Sequence, residues 1–360
     1  MLAKIKKFFS EIKNYPIIIW FFAFMILYFV VDLVAPDKLF DEYQNTDLNQ
    51  KPTFSLTDLR ENKYTKKYEN YVNDQFAFRT QWVFMKSRIE GMLLKTENNG
   101  IIYGKDGYQF SKMENIDEKK LARNIESVNN FAKRHKDKVS VMVAPSASLI
   151  LQDKLPMGAP FADEETITND IFKKISSNAQ VIDIRKAMND KKDDYLFYRT
   201  DHHWTSDGAY LAYSEFAKAK GLTPFDTTAH KKVEVKDFYG TNYSKSLWYK
   251  TVTDTISYYD LDNKMQIFSL DADKNIIDTK DVTMYNKKAF ETRDKYAAFI
   301  YSNNALSRIQ GDGKGKILVV KDSYANCFVP YLTENYEQID VVDLRGLKGN
   351  VEFLIEENNY

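Results

Sequence analysis

Residues 315–323 read "GKILVVKDS", and this stretch decides the fold. Four apolar residues, Ile317 to Val320, end at Lys321-Asp322, and Ser323 follows where a helix is expected from about Ala325. An apolar run of that length bounded by polar residues reads as a strand. Working outward, "QIDVVDLR" (338–345), "KVSVMVAP" (138–145) and "AQVIDI" (179–184) repeat the pattern. Amphipathic helices are expected between them over 117–135, 164–178 and 206–220, the last opening behind Thr205 or Ser206 as N-cap. Strands alternating with helices predict an α/β fold with a mostly parallel sheet, whose ligand site lies at the carboxyl ends of the strands. Residues 225–312 differ, with short β-prone runs such as "TDTISYYDL" and many Asp, Asn and Lys turns, and read as a β-rich insertion. "IIYGKDGYQF" (101–110) reads as a hairpin turning at Lys105-Asp106-Gly107. Residues 67–94 have helical spacing, with Phe76, Phe78, Trp82, Phe84 and Met85 as an apolar stripe.

The amino-terminal end suggests where the protein works. "PIIIWFFAFMILYFVV" (16–31) carries no charge; Asp32 interrupts it, and Leu33 to Ala35 extend it to the ~20 residues a membrane helix needs. Lys4, Lys6, Lys7 and Lys13 precede it, while Asp32, Asp37, Asp41 and Glu42 follow, so the positive-inside rule leaves residues 1–15 in the cytoplasm. No small-x-small site ends the run, and Pro36 opposes cleavage after Ala35, which favours a retained anchor at 16–35 over a signal peptide. A polar linker is expected over 36–65 and an extracytoplasmic domain over 66–360. Lysine plus arginine and aspartate plus glutamate are 51 each, so no global field attracts nucleic acid. The 24 tyrosines and 24 phenylalanines read as a tyrosine-rich surface over a phenylalanine-rich core. Cys327 is the single cysteine, which removes internal disulfides and thiolate metal clusters.

Two of the four histidines stand together in "YRTDHHWTSDG" (198–208). A serine at a strand-to-helix turn is exposed at the ligand edge of the sheet, and the N–H groups behind it can stabilise an oxyanion. Capping the helix is the plainer job for Ser323. A serine hydroxyl becomes a nucleophile only when a base takes its proton and a third group holds that base. Asp201 and His203, two apart, share a face in extended chain, so the carboxylate can orient that imidazole while His202 points away. Adjacent histidines would then diverge, which speaks against a metal held by Asp201, His202 and His203. Without Ser323, two histidines packed in a polar turn would be the default.

"RTDHHWT" and "VVKDSYA" together resemble the DHHW family of SGNH-hydrolase-like proteins, a group similar to the acetyltransferase domains of alginate O-acetylation proteins. "NDQFAFRTQW" (73–82), "IIYGKDGY" (101–108) and "VVDLR" (341–345) also look like blocks of that family. The resemblance implies a three-layer α/β/α fold, with Ser323 as nucleophile, His203 as base and Asp201 as its partner. It implies oxyanion donors at the backbone N–H of Ser323 and Tyr324, and places Arg345, like His202, where it could meet an oxyanion or substrate. Lys321 stands where many relatives carry glycine. The function implied is O-acetylation of an exopolysaccharide or cell-wall glycan outside the membrane, without cofactor or metal, beside a multi-spanning O-acyltransferase that supplies the acyl group. A carbohydrate acetylesterase shares the same acyl-enzyme, and a non-catalytic glycan-binding scaffold is a further alternative.

Overall fold

The structure, a computed structural model, describes residues 15–347 and 349–360. The lysines of the expected cytoplasmic tail lie outside the described residues. The chain forms two compact units, residues 1–89 and 90–360. That division falls later than the expected domain start at residue 66.

In the first unit an apolar helix spans Pro16–Val34 with no buried residue. Its 19 residues are long and apolar enough to cross a membrane, about 28 Å at 1.5 Å per residue. The stretch expected as linker instead holds a two-residue hairpin, Phe40–Asp41 against Thr46–Asp47, and the short helix Leu56–Arg60. The single helix expected over 67–94 is two, Lys63–Gln75 and Arg79–Met92, broken at Phe76–Phe78 where Phe78 takes φ 58°. The break has a local cause. The Ala77 N–H donates to Asp32 Oδ1 (2.8 Å) and its carbonyl accepts from the Tyr28 hydroxyl, so neither backbone group is left for a helical ladder.

The second unit is α/β, built round a five-stranded sheet of β1 (Lys264–Leu270), β2 (Ile276–Thr283), β3 (Leu306–Gln310), β4 (Lys316–Lys321) and β5 (Gln338–Asp343), in the order β2-β1-β3-β5-β4. Only β4 and β5 pair in parallel, from Lys316↔Gln338 to Lys321↔Asp343; the other three pairings are antiparallel. The mostly parallel sheet is therefore corrected to a mixed one. The separate β-rich insertion is corrected too, because β1, β2 and β3 all come from 225–312 and complete the main sheet. A further antiparallel pair, Lys232–Phe238 with Asp254–Tyr259, comes from the same segment. The buried-type strands expected at 138–145 and 179–184 shrink to a parallel bridge of Ser140–Val141 with Gln180–Val181.

Helices form where expected over Glu118–Arg134, Glu164–Ile175 and Ser206–Lys220, capped by Asp117, Asp163 and Thr205. Gly208 is needed at the start of the last one, since a Cβ there would lie 2.3 Å from the Leu196 carbonyl oxygen. The hairpin Ile101–Tyr103 with Gln109–Ser111 turns at Asp106 (φ 56°) and Gly107 (φ 80°). After β4 the expected α-helix is replaced by two 3₁₀ segments, Ser323–Cys327 and Val329–Glu334. Pro330 lies at the head of the second; lacking an N–H and clashing with the preceding turn, it stops an α-helix from running through.

Tyrosine is a core residue here, contrary to the expected surface role. Tyr198, Tyr213, Tyr285, Tyr296 and Tyr331 are all buried. The Tyr213 hydroxyl accepts from the Phe225 N–H (2.9 Å) and bonds Asn335 Oδ1, and that of Tyr331 donates to the Ser206 carbonyl (2.9 Å). A phenol with a partner for its oxygen is buried at little cost.

Candidate active site

Residues 197–204 form a tight loop closed by the antiparallel bridge Phe197↔Trp204 and by the Thr205 N–H on the Leu196 carbonyl (2.8 Å). Buried Asp254 holds the loop from beneath. It accepts the N–H of Arg199 (2.8 Å), the N–H of Thr200 (2.7 Å) and the hydroxyls of Thr200 and Tyr195. The hairpin of "IIYGKDGY" buttresses one side, where the Gln109 N–H donates to the Arg199 carbonyl (2.8 Å).

Within this frame Asp201, His203 and Ser323 come together. His203 Nδ1 is 2.5 Å from Asp201 Oδ1, and His203 Nε2 is 2.8 Å from Ser323 Oγ. Asp201 and His203 are buried, while Ser323 is half-buried at the carboxyl end of β4. The pairing arises differently from the extended-chain argument. The segment is bent, and Asp201 Oδ1 also accepts the His203 backbone N–H (3.0 Å), so one carboxylate oxygen fixes both chain and ring. Burial opposes charge on Asp201, but His203, His202 and the Thr241 N–H outweigh it and hold the carboxyl far below the usual carboxylate range.

The other Asp201 oxygen is served by a segment read from sequence as an insertion. Oδ2 accepts the Thr241 N–H (2.7 Å) and hydroxyl (3.0 Å). Gly240 makes this approach feasible, since a Cβ there would lie 2.2 Å from Asp201 Cβ. Tyr296, from the same segment, stacks on His203 with ring centroids 4.1 Å apart and planes at 11°, and its hydroxyl donates to the Ser323 carbonyl (2.9 Å). Gly240, Thr241, Asp254 and Tyr296 were missed in the sequence. The one signal available was a small pair, Gly240-Thr241, shortly after an alternating strand.

His202 does not point away. Its ring lies 3.8 Å from that of His203, centroid to centroid, and Nδ1 bonds Thr241 Oγ1 (2.7 Å). The bend at 201–203 replaces the alternation of an extended strand, so adjacent imidazoles converge. With the Thr241 hydroxyl donating to Asp201, His202 is the donor through Nδ1, and Nε2 is left as acceptor. Burial pushes its pKa down to about 4, against the attraction of Asp201. Asp201, His202 and His203 thus bring ligand atoms within 4.8 Å of one another, a possible cation group by proximity. Both Asp201 oxygens, both His203 nitrogens and His202 Nδ1 are engaged in the hydrogen bonds above, so the donors fit a proton network better than a metal.

Trp204 completes the quartet: its Nε1–H donates to the Tyr324 carbonyl (2.9 Å), and the Tyr324 hydroxyl donates back to the His202 carbonyl. The loop and the serine turn are therefore bolted together on both sides of the His203–Ser323 contact. Asp322, not Ser323, caps the turn, and its Oδ1 takes the Tyr324 N–H (2.9 Å). That occupies one of the two expected oxyanion donors. Arg345 leaves the same edge of the sheet as Ser323, two residues beyond the paired strand ends. Its largely exposed guanidinium is folded onto Asp343, with Nε 2.9 Å from Oδ1, and this bond holds the Asp343 carboxyl down at about 2. Lys321 fills the position of the expected glycine with a buried ammonium that bonds Asn303 Oδ1 (2.8 Å) and Asn326 Oδ1 (2.6 Å) and lies 3.4 Å from Asp343. Cys327 is buried behind the turn, its thiol pushed up to about 12 by that burial.

The second unit is thus an α/β fold in which a buried carboxylate, an imidazole and a serine hydroxyl lie in one hydrogen-bonded line. Residues 95–342 match the family described as DHHW protein, more than half the chain, and the protein belongs to that family. Arg345 lies beyond the matched residues. Among solved structures, the fold is similar to that of a DHHW family protein from Eubacterium siraeum at 23% identity and a TM-score of 0.60, covering 73% of this chain and 88% of that one. It is also similar to Bacillus cereus PatB1 at 18% identity and a TM-score of 0.57, covering 72% and 92%, and to PatB1 with a sulfonyl adduct at 17% and 0.57, covering 72% and 91%. No curated protein sequence matches the chain.

Proposed function

We propose that the protein is a membrane-anchored, extracytoplasmic O-acetyltransferase that works through an acyl-Ser323 intermediate on an exopolysaccharide or cell-wall glycan. The observation that carries this reading is the continuous contact from Asp201 through His203 to Ser323, 2.5 and 2.8 Å. In the first half-reaction the Ser323 hydroxyl gives its proton to His203 Nε2 as Oγ bonds the acyl carbonyl carbon. Collapse breaks the bond to the leaving group, which takes the proton from Nε2. In the second, a sugar hydroxyl gives its proton to Nε2 and attacks the acyl-serine, and Oγ is reprotonated as it leaves. Asp201 holds the ring in the Nδ1–H tautomer and balances the imidazolium. The Ser323 N–H is the oxyanion donor; that of Tyr324 joins it only if Asp322 swings away. His202 Nε2 is an acceptor for an acceptor-sugar hydroxyl, and Arg345 is a substrate contact when released from Asp343.

The Pro16–Val34 helix is a single-pass plasma-membrane anchor with its amino end in the cytoplasm and the catalytic unit outside. A multi-spanning O-acyltransferase supplies the acyl group. The resemblance of the DHHW-plus-DSYA pair to glycan O-acetylation domains supports acetyl transfer over simple hydrolysis. The test is release of a chromogenic acetyl ester by the full chain in detergent, with Ser323→Ala abolishing it; an undiminished rate in that variant sinks the acyl-enzyme. Since PatB1 has been seen with a sulfonyl adduct, an aryl sulfonyl fluoride is expected to add mass to the Ser323 peptide here. An oligosaccharide acceptor gaining one acetyl mass separates transfer from hydrolysis.

A further inference from the structure

Helix Arg79–Met92 turns its bulkiest apolar face outward. At 3.6 residues per turn, Phe78, Trp82, Met85 and Ile89 form one stripe, and they are 58%, 38%, 44% and 49% exposed. The opposite side carries Thr80, Val83, Phe84 and Ser87, half-buried or buried. Lys86 borders the stripe on one flank and Arg88 on the other, both exposed. A helix in water would not leave a stripe of four large apolar side chains uncovered.

The position of this stripe along the apolar Pro16–Val34 helix says what covers it. Ala77, at the head of the stripe, is bonded to Asp32 through its N–H (2.8 Å) and to the Tyr28 hydroxyl through its carbonyl. The Tyr28 ring lies 5.2 Å from Phe76 and 6.4 Å from Trp82, centroid to centroid. Asp32 and Tyr28 lie two and six residues before Val34, roughly 3 and 9 Å along the axis. That range matches the roughly 5–10 Å to which an in-plane amphipathic helix sinks its apolar face below the headgroups. Tyrosine and tryptophan are enriched at that level, and basic flanks favour anionic lipid. The Ala77 bond also gives Asp32 a donor at a depth where an unpaired carboxylate would be costly.

We propose that this helix lies in the plane of the outer membrane interface, with Phe78, Trp82, Met85 and Ile89 among the upper acyl chains and Lys86 at anionic headgroups. The inference rests on the Pro16–Val34 helix being a membrane anchor, and the test separates the two. The full chain is reconstituted in phosphatidylcholine–phosphatidylglycerol vesicles whose lipids are brominated either high on the acyl chain or near the bilayer centre. The tryptophans are Trp20, Trp82, Trp204 and Trp248. Trp82→Phe protein minus the double variant reports Trp20, and Trp20→Phe protein minus the double variant reports Trp82. Trp20 lies four residues, about 6 Å, inside the inner end of its helix, so quenching of both Trp20 and Trp82 by high-chain bromines is the expected result, with the Trp82 quenching lost in Met85→Lys/Ile89→Lys protein of unchanged circular dichroism. Trp20 quenched but Trp82 untouched at every depth overturns the proposal and leaves the anchor standing, as when a protein partner covers the stripe. Trp20 unquenched overturns both.

Discussion

Replacing Asp201 by Asn is the sharpest probe of the site, because the residue has no spare hydrogen-bonding position. Oδ1 faces two donors, the His203 N–H and Nδ1, and Oδ2 faces two more, the N–H and hydroxyl of Thr241. Asn can supply only one oxygen. With the amide nitrogen toward Thr241, that backbone N–H, which cannot reverse its role, meets a donor. With the nitrogen toward His203, a backbone N–H is again confronted, and the ring can relieve its own clash only by moving the proton from Nδ1 to Nε2. An Nε2–H imidazole cannot accept the Ser323 proton.

Loss of the base's tautomer and of its counter-charge is worth about 10⁴-fold in serine triads of this logic. At 1.36 kcal/mol per tenfold that is roughly 5 kcal/mol of barrier. A buried donor left facing a donor adds roughly 1–3 kcal/mol of folding destabilisation. The full chain is assayed for acetyl-ester release against the Ser323→Ala background, with rates normalised to the folded fraction from thermal melting. The expected result is a drop near four decades with fold retained. A rate within about tenfold of the parent, in folded Asp201→Asn protein, would refute the assignment of His203 as a carboxylate-held base.

Gly240→Ala is expected to act on the same bond from behind. Its Cβ would lie 2.2 Å from Asp201 Cβ, so the carboxylate must shift, and a displacement near 1 Å costs about 100-fold in rate. An ester-release rate equal to the parent's would mean that the loop yields instead. His202 has its pKa lowered from 6.5 to about 4, so the folded protein binds this proton less readily than the unfolded chain does. Its contribution to stability is therefore complete above about 6.5 and lost as pH falls toward 4; denaturant midpoints should decline over that window, less steeply in His202→Gln. Tyr296→Phe keeps the ring on His203 and removes the hydroxyl's bond to the Ser323 carbonyl with its weaker contacts to Cys327 Sγ (3.3 Å) and the Tyr324 carbonyl (3.5 Å), which predicts about 1 kcal/mol of lost stability and less than tenfold in rate. Tyr296→Leu, which also removes the stacked ring, should lower the rate well beyond that, and equal rates for the two variants would rule out the ring as a positioning element.

What the sequence disclosed and what it hid have separate physical origins. "GKILVVKDS" and "QIDVVDLR" were legible as strands because aliphatic and β-branched residues cluster between polar bounds, and they form the one parallel pair in the sheet. β1 and β3 mix apolar with polar residues and were set apart as an insertion. Yet Met265↔Ile309 and Ile309↔Ile339 bring their buried positions into register with β5. Pairing between strands so far apart in sequence is not written in either strand's own pattern. The two 3₁₀ segments after Ser323 were missed because one proline, Pro330, outweighs the helical composition around it.

At the site, the residues proposed to react were legible and those that hold them were not. Asp201, His203 and Ser323 stand out because their chemistry is scarce and needs partners, so a histidine-poor chain draws attention to its paired imidazoles. Gly240 matters for the side chain it lacks, Tyr296 for a ring face and a carbonyl contact, and Asp254 for four donors converging from the loop above. None of those properties alters residue type in a way that one sequence can display. The argument from spacing paired Asp201 with His203, which the structure brings into contact through a different geometry. The bend that lets Asp201 hold His203 also folds His202 back onto it, so the doubled histidine is one pair of touching, tilted rings tied through Thr241 to the same carboxylate. A substitution at Thr241 should therefore disturb both imidazoles together, whereas independent histidines would respond one at a time.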